Sequence, residues 1–189
     1  QQLASPNQIV QNAREAAQRL VRTLLPYAEA GFDIVATSTS CGLMLKREYM
    51  EILGLDTPEF RAVSARMWDI CEYLWHLHEE GELKTDFRPL TVPYHAPCQQ
   101  KSHGIGKPAL DLFSLIPELN VVEMTAACCG IAGTYGLKKE KYQIAMDVGQ
   151  ELFSFIEEQG NDVTKAVINS KTCRWHIESA THLPCRHPI

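Results

Sequence analysis

Apolar residues recur along the chain in two patterns, one typical of amphipathic helices and one typical of short buried strands. Helical spacing covers residues 5–30, about 57–80 and about 138–158, and the first two stretches end at Gly31 and Gly81. The first stretch is predicted to present one apolar face made of Ile9, Ala13, Ala16, Ala17, Leu20, Leu24 and Leu25.

Short apolar runs rich in β-branched residues lie between these helices and predict four strands, at residues 33–37, 91–96, 120–124 and 165–168. A shorter helix is expected to contain residues 108–115. Strands that alternate with helices of this length indicate βαβ units, so the predicted fold class is α/β with mainly parallel sheets. In such sheets, sites form beyond the carboxyl ends of the strands.

Cysteines follow the predicted strands. Of the seven cysteines in the chain, Cys98, Cys128, Cys129 and Cys173 each come shortly after a strand, and Cys128 and Cys129 are followed by Gly130. Clustered thiols outside a disulfide framework are typically metal ligands or redox groups, and an odd number of cysteines argues against complete pairing. The pattern predicts a metal or redox site, the alternative being that strand ends merely tolerate small residues.

Two further residues near these thiols are candidates for the site. His95 lies three residues before Cys98 and is expected to approach the site as an outer hydrogen-bond donor or as a replacement ligand, the alternative being an ordinary strand residue; His176, three residues after Cys173, is weighed in the same way. Adjacent cysteines point in different directions, so Gly130 is expected to supply the backbone freedom that brings both to one site. Cys71 lies in a helical pattern and is expected in the core.

An internal repeat connects the two parts of the chain. Residues 33–41 match residues 165–173 in pattern, which places Cys41 and Cys173 132 positions apart. We expect residues 1–85 to be an incomplete first repeat, truncated at its amino end in a protein that continues before Gln1, and residues 86–189 to be a second, complete repeat. The fold is then two pseudo-repeated βαβ-type halves, with Cys41 as an orphan ligand.

Composition excludes several classes of function. The chain has 189 residues, 45% of them apolar, but no window approaches the about 18 consecutive apolar residues of a membrane span. A formal charge of −5 with scattered basic residues argues against a nucleic-acid partner. There is no glycine-rich dinucleotide fingerprint, so flavin and substrate are expected on a partner protein.

The motifs resemble a known family. They comprise Tyr94-His95-Ala96-Pro97-Cys98, Cys128-Cys129-Gly130-Ile131-Ala132-Gly133-Thr134-Tyr135-Gly136, Thr172-Cys173-Arg174-Trp175 and, in the first repeat, Ala36-Thr37-Ser38-Thr39-Ser40-Cys41. The chain resembles the CCG-type cysteine-rich domains of heterodisulfide reductases and of several iron–sulfur oxidoreductases. Within that family, the motifs are most similar to those of the anaerobic glycerol-3-phosphate dehydrogenase branch.

The resemblance implies a non-catalytic iron–sulfur subunit that relays electrons from a flavoprotein dehydrogenase subunit to a membrane-anchoring or quinone-interacting component. It implies a cytoplasmic location at the inner face of the cell membrane. The implied metal ligands are Cys98, Cys128, Cys129 and Cys173, together with Cys41, and Gly130 and His95 are expected beside the cofactor. That cofactor is a four-iron cluster or zinc, and the site is expected to be labile to aerobic purification.

Ser38 and Ser170 stand where the full family pattern has a further cysteine. A serine hydroxyl is a weak ligand for iron–sulfur chemistry, which favours a four-cysteine cluster over a five-cysteine one. Two other functions stay open: a thiol/disulfide oxidoreductase that uses a cysteine pair, and a zinc-stabilised module that docks a dehydrogenase subunit.

Overall fold

The structure is a computed structural model that describes residues 6–83, 91–125, 128–160 and 163–189. The chain divides into two compact units, Gln1–Ile70 and Cys71–Ile189, which we call unit 1 and unit 2. The predicted repeat boundary between residues 85 and 86 lies outside the described residues and stays a prediction, as does the division into one incomplete and one complete repeat.

Unit 1 is a pair of parallel strands covered by helices. Its elements follow one another as helix α1 (Pro6–Glu29), strand β1 (Ile34–Ala36), helix α2 (Thr39–Leu43), a π-helical segment (Met44–Glu48), helix α3 (Tyr49–Glu51), helix α4 (Pro58–Ala65) and strand β2 (Met67–Asp69). Strands β1 and β2 pair in parallel, with Ile34 opposite Met67.

Helix α1 buries only part of the predicted face, which includes Ala17, Leu24 and Leu25. The side chains that pack into the unit 1 core are Ala17, Val21 and Ala28, with Leu24 and Leu25 beside them. These positions recur every three to four residues and so form one face of the helix. Ile9 and Leu20, which the pattern placed on the buried face, are exposed.

Unit 2 is built around a parallel sheet. Its elements are helix α5 (Ile70–Glu79), whose first residue closes unit 1, then strand β3 (Thr91–His95), helix α6 (Cys98–His103), helix α7 (Pro108–Ser114), strand β4 (Asn120–Glu123), a short 3-10 helix (Tyr135–Leu137), helix α8 (Tyr142–Glu158), strand β5 (Ala166–Ile168), helix α9 (Lys171–Thr181) and strand β6 (Cys185–Arg186). The four strands pair entirely in parallel, in the order β4-β3-β5-β6.

The core of unit 2 lies between the sheet and helices α8 and α9. It is built from Met124, Cys129, Ile131, Leu152, Phe153, Ile156, Ala166, Ile168, Cys173, Ile177 and Cys185. Two of the four predicted ligand cysteines, Cys129 and Cys173, are therefore core residues as well as candidate site residues. The packing that stabilises the unit also fixes their positions.

The two units share one local arrangement at the positions that the repeat predicts. Strands β1 and β5 are 132 residues apart and each pairs in parallel with a later strand. Ile34 N–H donates to the Arg66 carbonyl at 2.8 Å, and Ala166 N–H donates to the Pro184 carbonyl at 2.9 Å. Ser38 and Ser170 are the N-cap residues of the helices that follow.

The α/β fold class with parallel sheets is confirmed. The predicted strands are present, and Cys71 is buried as expected. The single helix predicted at about residues 57–80 is wrong: strand β2 separates helices α4 and α5. A strand of three residues is too short to show an alternating pattern within an apolar segment. None of the helices in the described ranges has the length and apolar character needed to cross a membrane.

Candidate metal centre

The four predicted ligand cysteines of unit 2 come from the carboxyl ends of three neighbouring strands. Cys98 opens helix α6 after β3, Cys128 and Cys129 lie in the loop after β4, and Cys173 lies in the first turn of α9 after β5. Strand β3 lies between β4 and β5 in the sheet. All pairings are parallel, so the three connections leave the sheet at the same edge.

Burial divides the four thiols into an inner and an outer pair. Cys129 and Cys173 are 2% and 4% exposed. Cys98 is exposed and Cys128 is half-buried. The arrangement therefore has a closed side against the core and an open side toward solvent.

Hydrogen bonds and charge link the four thiols. The Cys129 S–H donates to the Cys173 sulfur; this bond, aided by burial, raises the pKa of Cys129 well above its ordinary range. Burial also raises the pKa of Cys98, and the neighbouring Cys128 and Cys129 sulfurs add to that rise. A negative charge on one sulfur makes it harder for its neighbours to lose their protons. A bound cation would stabilise the ionised forms of these sulfurs together.

Cys173 is the thiol whose ionised form the protein stabilises. Its pKa is lowered chiefly by the hydrogen bond from Cys129 and also by a hydrogen bond from the Ser170 hydroxyl, and these outweigh its burial. Ser170 is buried and precedes helix α9 with extended backbone. The serine at the position of an expected cysteine thus contacts the thiol three residues later.

Gly130 fixes the course of the loop that carries the adjacent cysteines. Its φ is +91°, and a Cβ at this position would lie 2.0 Å from the Ala145 carbonyl oxygen of α8. Gly149, one turn further along α8, approaches the Cys129 carbonyl in the same way, since its Cβ would lie 2.5 Å from that oxygen. The Gly130 N–H also donates to the Cys128 sulfur at 3.3 Å. Two glycines therefore let the loop and the helix touch backbone to backbone.

His176 contacts the helix rather than the thiols. Its Nε2 lies 3.3 Å from the Ala145 carbonyl oxygen, and its ring packs edge-on against Tyr142 and Phe153. The Ala145 carbonyl is the same group that faces Gly130. His176 thus joins α9 to α8 at the point where the cysteine loop is seated.

His95, the last residue of β3, is completely buried. Neither of its ring nitrogens has a hydrogen-bond partner among the described residues. Burial, reinforced by the charge of Lys101, lowers its pKa to about 4, so the ring is neutral at physiological pH.

The thiols lie close together, but their side chains are not arranged as the ligands of one metal ion. Within residues 6–83, 91–125, 128–160 and 163–189, no three Cys, His, Asp or Glu side chains surround one point as metal ligands. The donor chemistry nevertheless fits a soft metal centre, because four thiolates suit iron–sulfur clusters and zinc. Binding would require the hydrogen-bonded thiols to lose their protons and turn toward one centre.

Cys41, the fifth predicted ligand, lies in unit 1. It is exposed on helix α2, and its charge contributes, after burial, to the raised pKa of Tyr49. The Ser38 and Ser40 hydroxyls are 3.2 Å apart beside it, as are those of Ser170 and Thr172 beside Cys173. A ligand role for Cys41 stays a prediction, as do those of the other named cysteines, Gly130 and His95.

Sequence reasoning does not anticipate Ala145, Gly149 or the hydrogen bond from Ser170 to Cys173. Gly149 carries a signal, since a glycine inside an amphipathic helix often marks a close backbone approach. Ser170 stands out in the sequence only as a missing cysteine.

The segment that carries the four clustered cysteines matches a known family. Residues 92–178 match the cysteine-rich domain family CCG, which confirms the predicted resemblance for this segment. The chain is 40% identical over 162 residues to the C subunit of the anaerobic glycerol-3-phosphate dehydrogenase of Escherichia coli strain K12, an alignment that spans 84% of this chain and 39% of that protein.

A second relative is an uncharacterised iron–sulfur protein of Methanocaldococcus jannaschii, 27% identical over 170 residues, which cover 88% of this chain and 31% of that protein. The chain thus spans well under half the length of these relatives. No solved structure matches the chain significantly.

Proposed function

We propose that this chain is an electron-transfer part of an iron–sulfur subunit, with one cluster held by Cys98, Cys128, Cys129 and Cys173. The observation that carries the proposal is the arrival of four thiols at one edge of three adjacent parallel strands. Four cysteine thiolates are the usual ligand set of a four-iron, four-sulfur cluster. When bound, such a cluster accepts one electron and passes it on without any bond to substrate being made.

Different residues of this chain would have different roles at such a site. Cys129 and Cys173 belong to the core and would anchor the cluster, while the exposed Cys98 and half-buried Cys128 leave one side accessible to redox partners. The Gly130 N–H, 3.3 Å from the Cys128 sulfur, would stabilise the negative charge of that thiolate. Gly130 therefore has a direct role at the cofactor as well as a steric one.

The similarity to the C subunit of an anaerobic glycerol-3-phosphate dehydrogenase supports a wider assignment. We place the chain in a dehydrogenase complex of that kind, where a flavoprotein subunit oxidises the substrate and supplies electrons. A membrane-anchoring or quinone-interacting component takes them up. The chain itself would act at the cytoplasmic face of the membrane as a relay without a substrate site.

Metal and sulfide analysis of anaerobically prepared full chain tests the proposal. We expect about four iron and four sulfide per chain, visible absorbance that bleaches on reduction, and an electron paramagnetic resonance signal in one oxidation state. Protein exposed to air is expected to lose iron. Stoichiometric zinc without iron would instead identify the zinc-stabilised docking module and defeat the electron-transfer proposal.

The hydrogen-bonded pair of Cys129 and Cys173 favours one other function, that of a thiol/disulfide oxidoreductase. Forming a disulfide between them would release two electrons and two protons to an oxidised disulfide substrate. The same samples decide between the functions. Iron-free protein in which these two cysteines form a disulfide that a dithiol reduces reversibly would support this alternative.

A further inference from the structure

His95 is a buried polar side chain at the end of strand β3. It is 0% exposed, and no described residue pairs with either ring nitrogen. A buried polar group without a partner destabilises the folded chain. Such a group in a folded core points to a ligand or bound molecule that completes it.

The position of His95 in the sheet directs it toward the thiols. His95 is paired in register with Ile168 of the neighbouring parallel strand. Residues paired in this way project from the same face of a sheet. Ile168 packs in the core with Cys129 and Cys173, so the imidazole lies on the face that carries the inner thiols.

The next residue after β5 provides a contrast. Asn169 follows Ile168 in a bend outside the strand. Its Nδ2 donates to the Cys71 sulfur at 3.5 Å, and Cys71 is not among the four site cysteines. The residue next to Ile168 therefore contacts a cysteine outside the site.

A neutral imidazole carries one N–H donor and one acceptor nitrogen. Thiolate and sulfide sulfurs accept hydrogen bonds and cannot donate them. Four thiolates already supply one ligand to each iron of a four-iron cluster, so no iron position is left for a histidine nitrogen. The complementary partner for this ring is therefore a sulfur atom, approached by the N–H.

We propose that His95 donates a ring N–H hydrogen bond to a sulfur atom of the bound cluster and thereby raises the reduction potential of the cluster. The inference rests on the proposed function, since it needs the cluster. A donor to sulfur stabilises the additional negative charge of the reduced state, and hydrogen bonding of this kind is a principal means of setting cluster potentials.

The test compares full-length parent protein with His95→Phe and His95→Gln, all reconstituted anaerobically. The phenylalanine keeps bulk and removes the donor, whereas the glutamine retains an N–H donor. We expect His95→Phe to retain iron and to show a lower midpoint potential, with His95→Gln closer to the parent. His103→Phe is the matched control, because it replaces another buried imidazole, and its potential is expected to equal that of the parent.

A spectroscopic measurement on the parent adds a result that does not depend on how His95→Phe folds. Protein labelled with 15N-histidine and reduced to the paramagnetic state is expected to show one weakly coupled nitrogen in pulsed paramagnetic resonance, assigned by its loss in His95→Gln. No coupled histidine nitrogen, or an unchanged potential in iron-loaded His95→Phe, would overturn the inference. Strong coupling would also overturn it, by making His95 a ligand. Absence of iron from the parent would instead refute the proposed function.

Discussion

Cys129 and Cys185 are buried cysteines of one core that differ in what their thiols contact. Cys129 bonds Cys173 at the site edge, whereas the Cys185 S–H donates to the Leu183 carbonyl at 3.4 Å. We expect Cys129→Ser to lose the cluster while the fold persists, because serine is a poor ligand for iron. Iron and sulfide per chain, with circular dichroism, measure both effects.

Cys185→Ser is the control for that prediction. Its replacement also puts a hydroxyl into a buried position, but away from the proposed ligands, so iron content should match the parent. Equal iron in Cys129→Ser and parent protein would contradict the ligand assignment.

Substitutions at Gly130 and Gly133 distinguish the effect of backbone strain from that of steric clash. Both have positive φ, +91° and +67°, but only a Cβ on Gly130 would collide with the Ala145 carbonyl oxygen. Gly133→Ala should cost about 1–2 kcal/mol for its left-handed backbone. Gly130→Ala should cost about 3–5 kcal/mol, since overpacking adds to that strain. Denaturant unfolding of the two variants gives the difference, and equal losses would show that Gly130 is not seated against α8.

At the scale of elements, the turn from β5 into α9 brings a buried serine to the Cys173 thiol. Ser170→Ala removes one of the hydrogen bonds that lower the pKa of Cys173. In cluster-free protein we expect this pKa to rise, so that the thiolate forms at higher pH. Thiolate absorbance in the ultraviolet, followed against pH, measures the change.

Ser38→Ala is the matched variant, since Ser38 occupies the same N-cap position before α2 in unit 1. It should leave the titration of Cys173 unaltered. If Ser170→Ala leaves the pKa of Cys173 unchanged, Ser170 does not stabilise the Cys173 thiolate.

Elements with a clear apolar pattern were predictable. Helix α8 and strands β3 and β4 lie where the apolar spacing placed them. Strands β2 and β6, of three and two residues, were not predicted. Strands β1 and β5 are as short as β2, but each is an apolar run rich in β-branched residues, whereas β2 lies inside a longer apolar segment with helical spacing.

The site was predictable to a similar degree. The positions of cysteines after strands, together with the rule for parallel sheets, anticipated their common edge. The pairing of Cys129 with Cys173 and the contact of Gly130 with α8 were not predictable. They depend on how a loop packs on a helix, which no local pattern encodes.

At the scale of the whole molecule, the buried imidazole of His95 makes stability depend on pH. Its pKa is lowered from 6.5 to about 4 in the folded chain. Between these values the unfolded chain binds a proton that the folded chain does not, so stability falls as pH decreases through that window. The total loss is about 3 kcal/mol, from about 1.4 kcal/mol per pKa unit.

Denaturant unfolding of cluster-free protein from pH 7 down to about pH 4 measures this dependence. His95→Phe lacks the titrating group, so its free energy of unfolding should fall less steeply over the same range. Parallel curves for the parent and the variant would show that the imidazole is solvated in the folded chain.

The three strand ends that supply the thiols are far apart in sequence, with Cys98 30 residues before Cys128 and Cys129 44 residues before Cys173. A cofactor joined to all of them would act as a multivalent cross-link that restricts the unfolded chain across most of unit 2. Loading and tertiary stability would then be thermodynamically linked. Oxidative destruction of the inorganic core would leave a chain that opens more often and is degraded sooner, so that damage and turnover would be coupled.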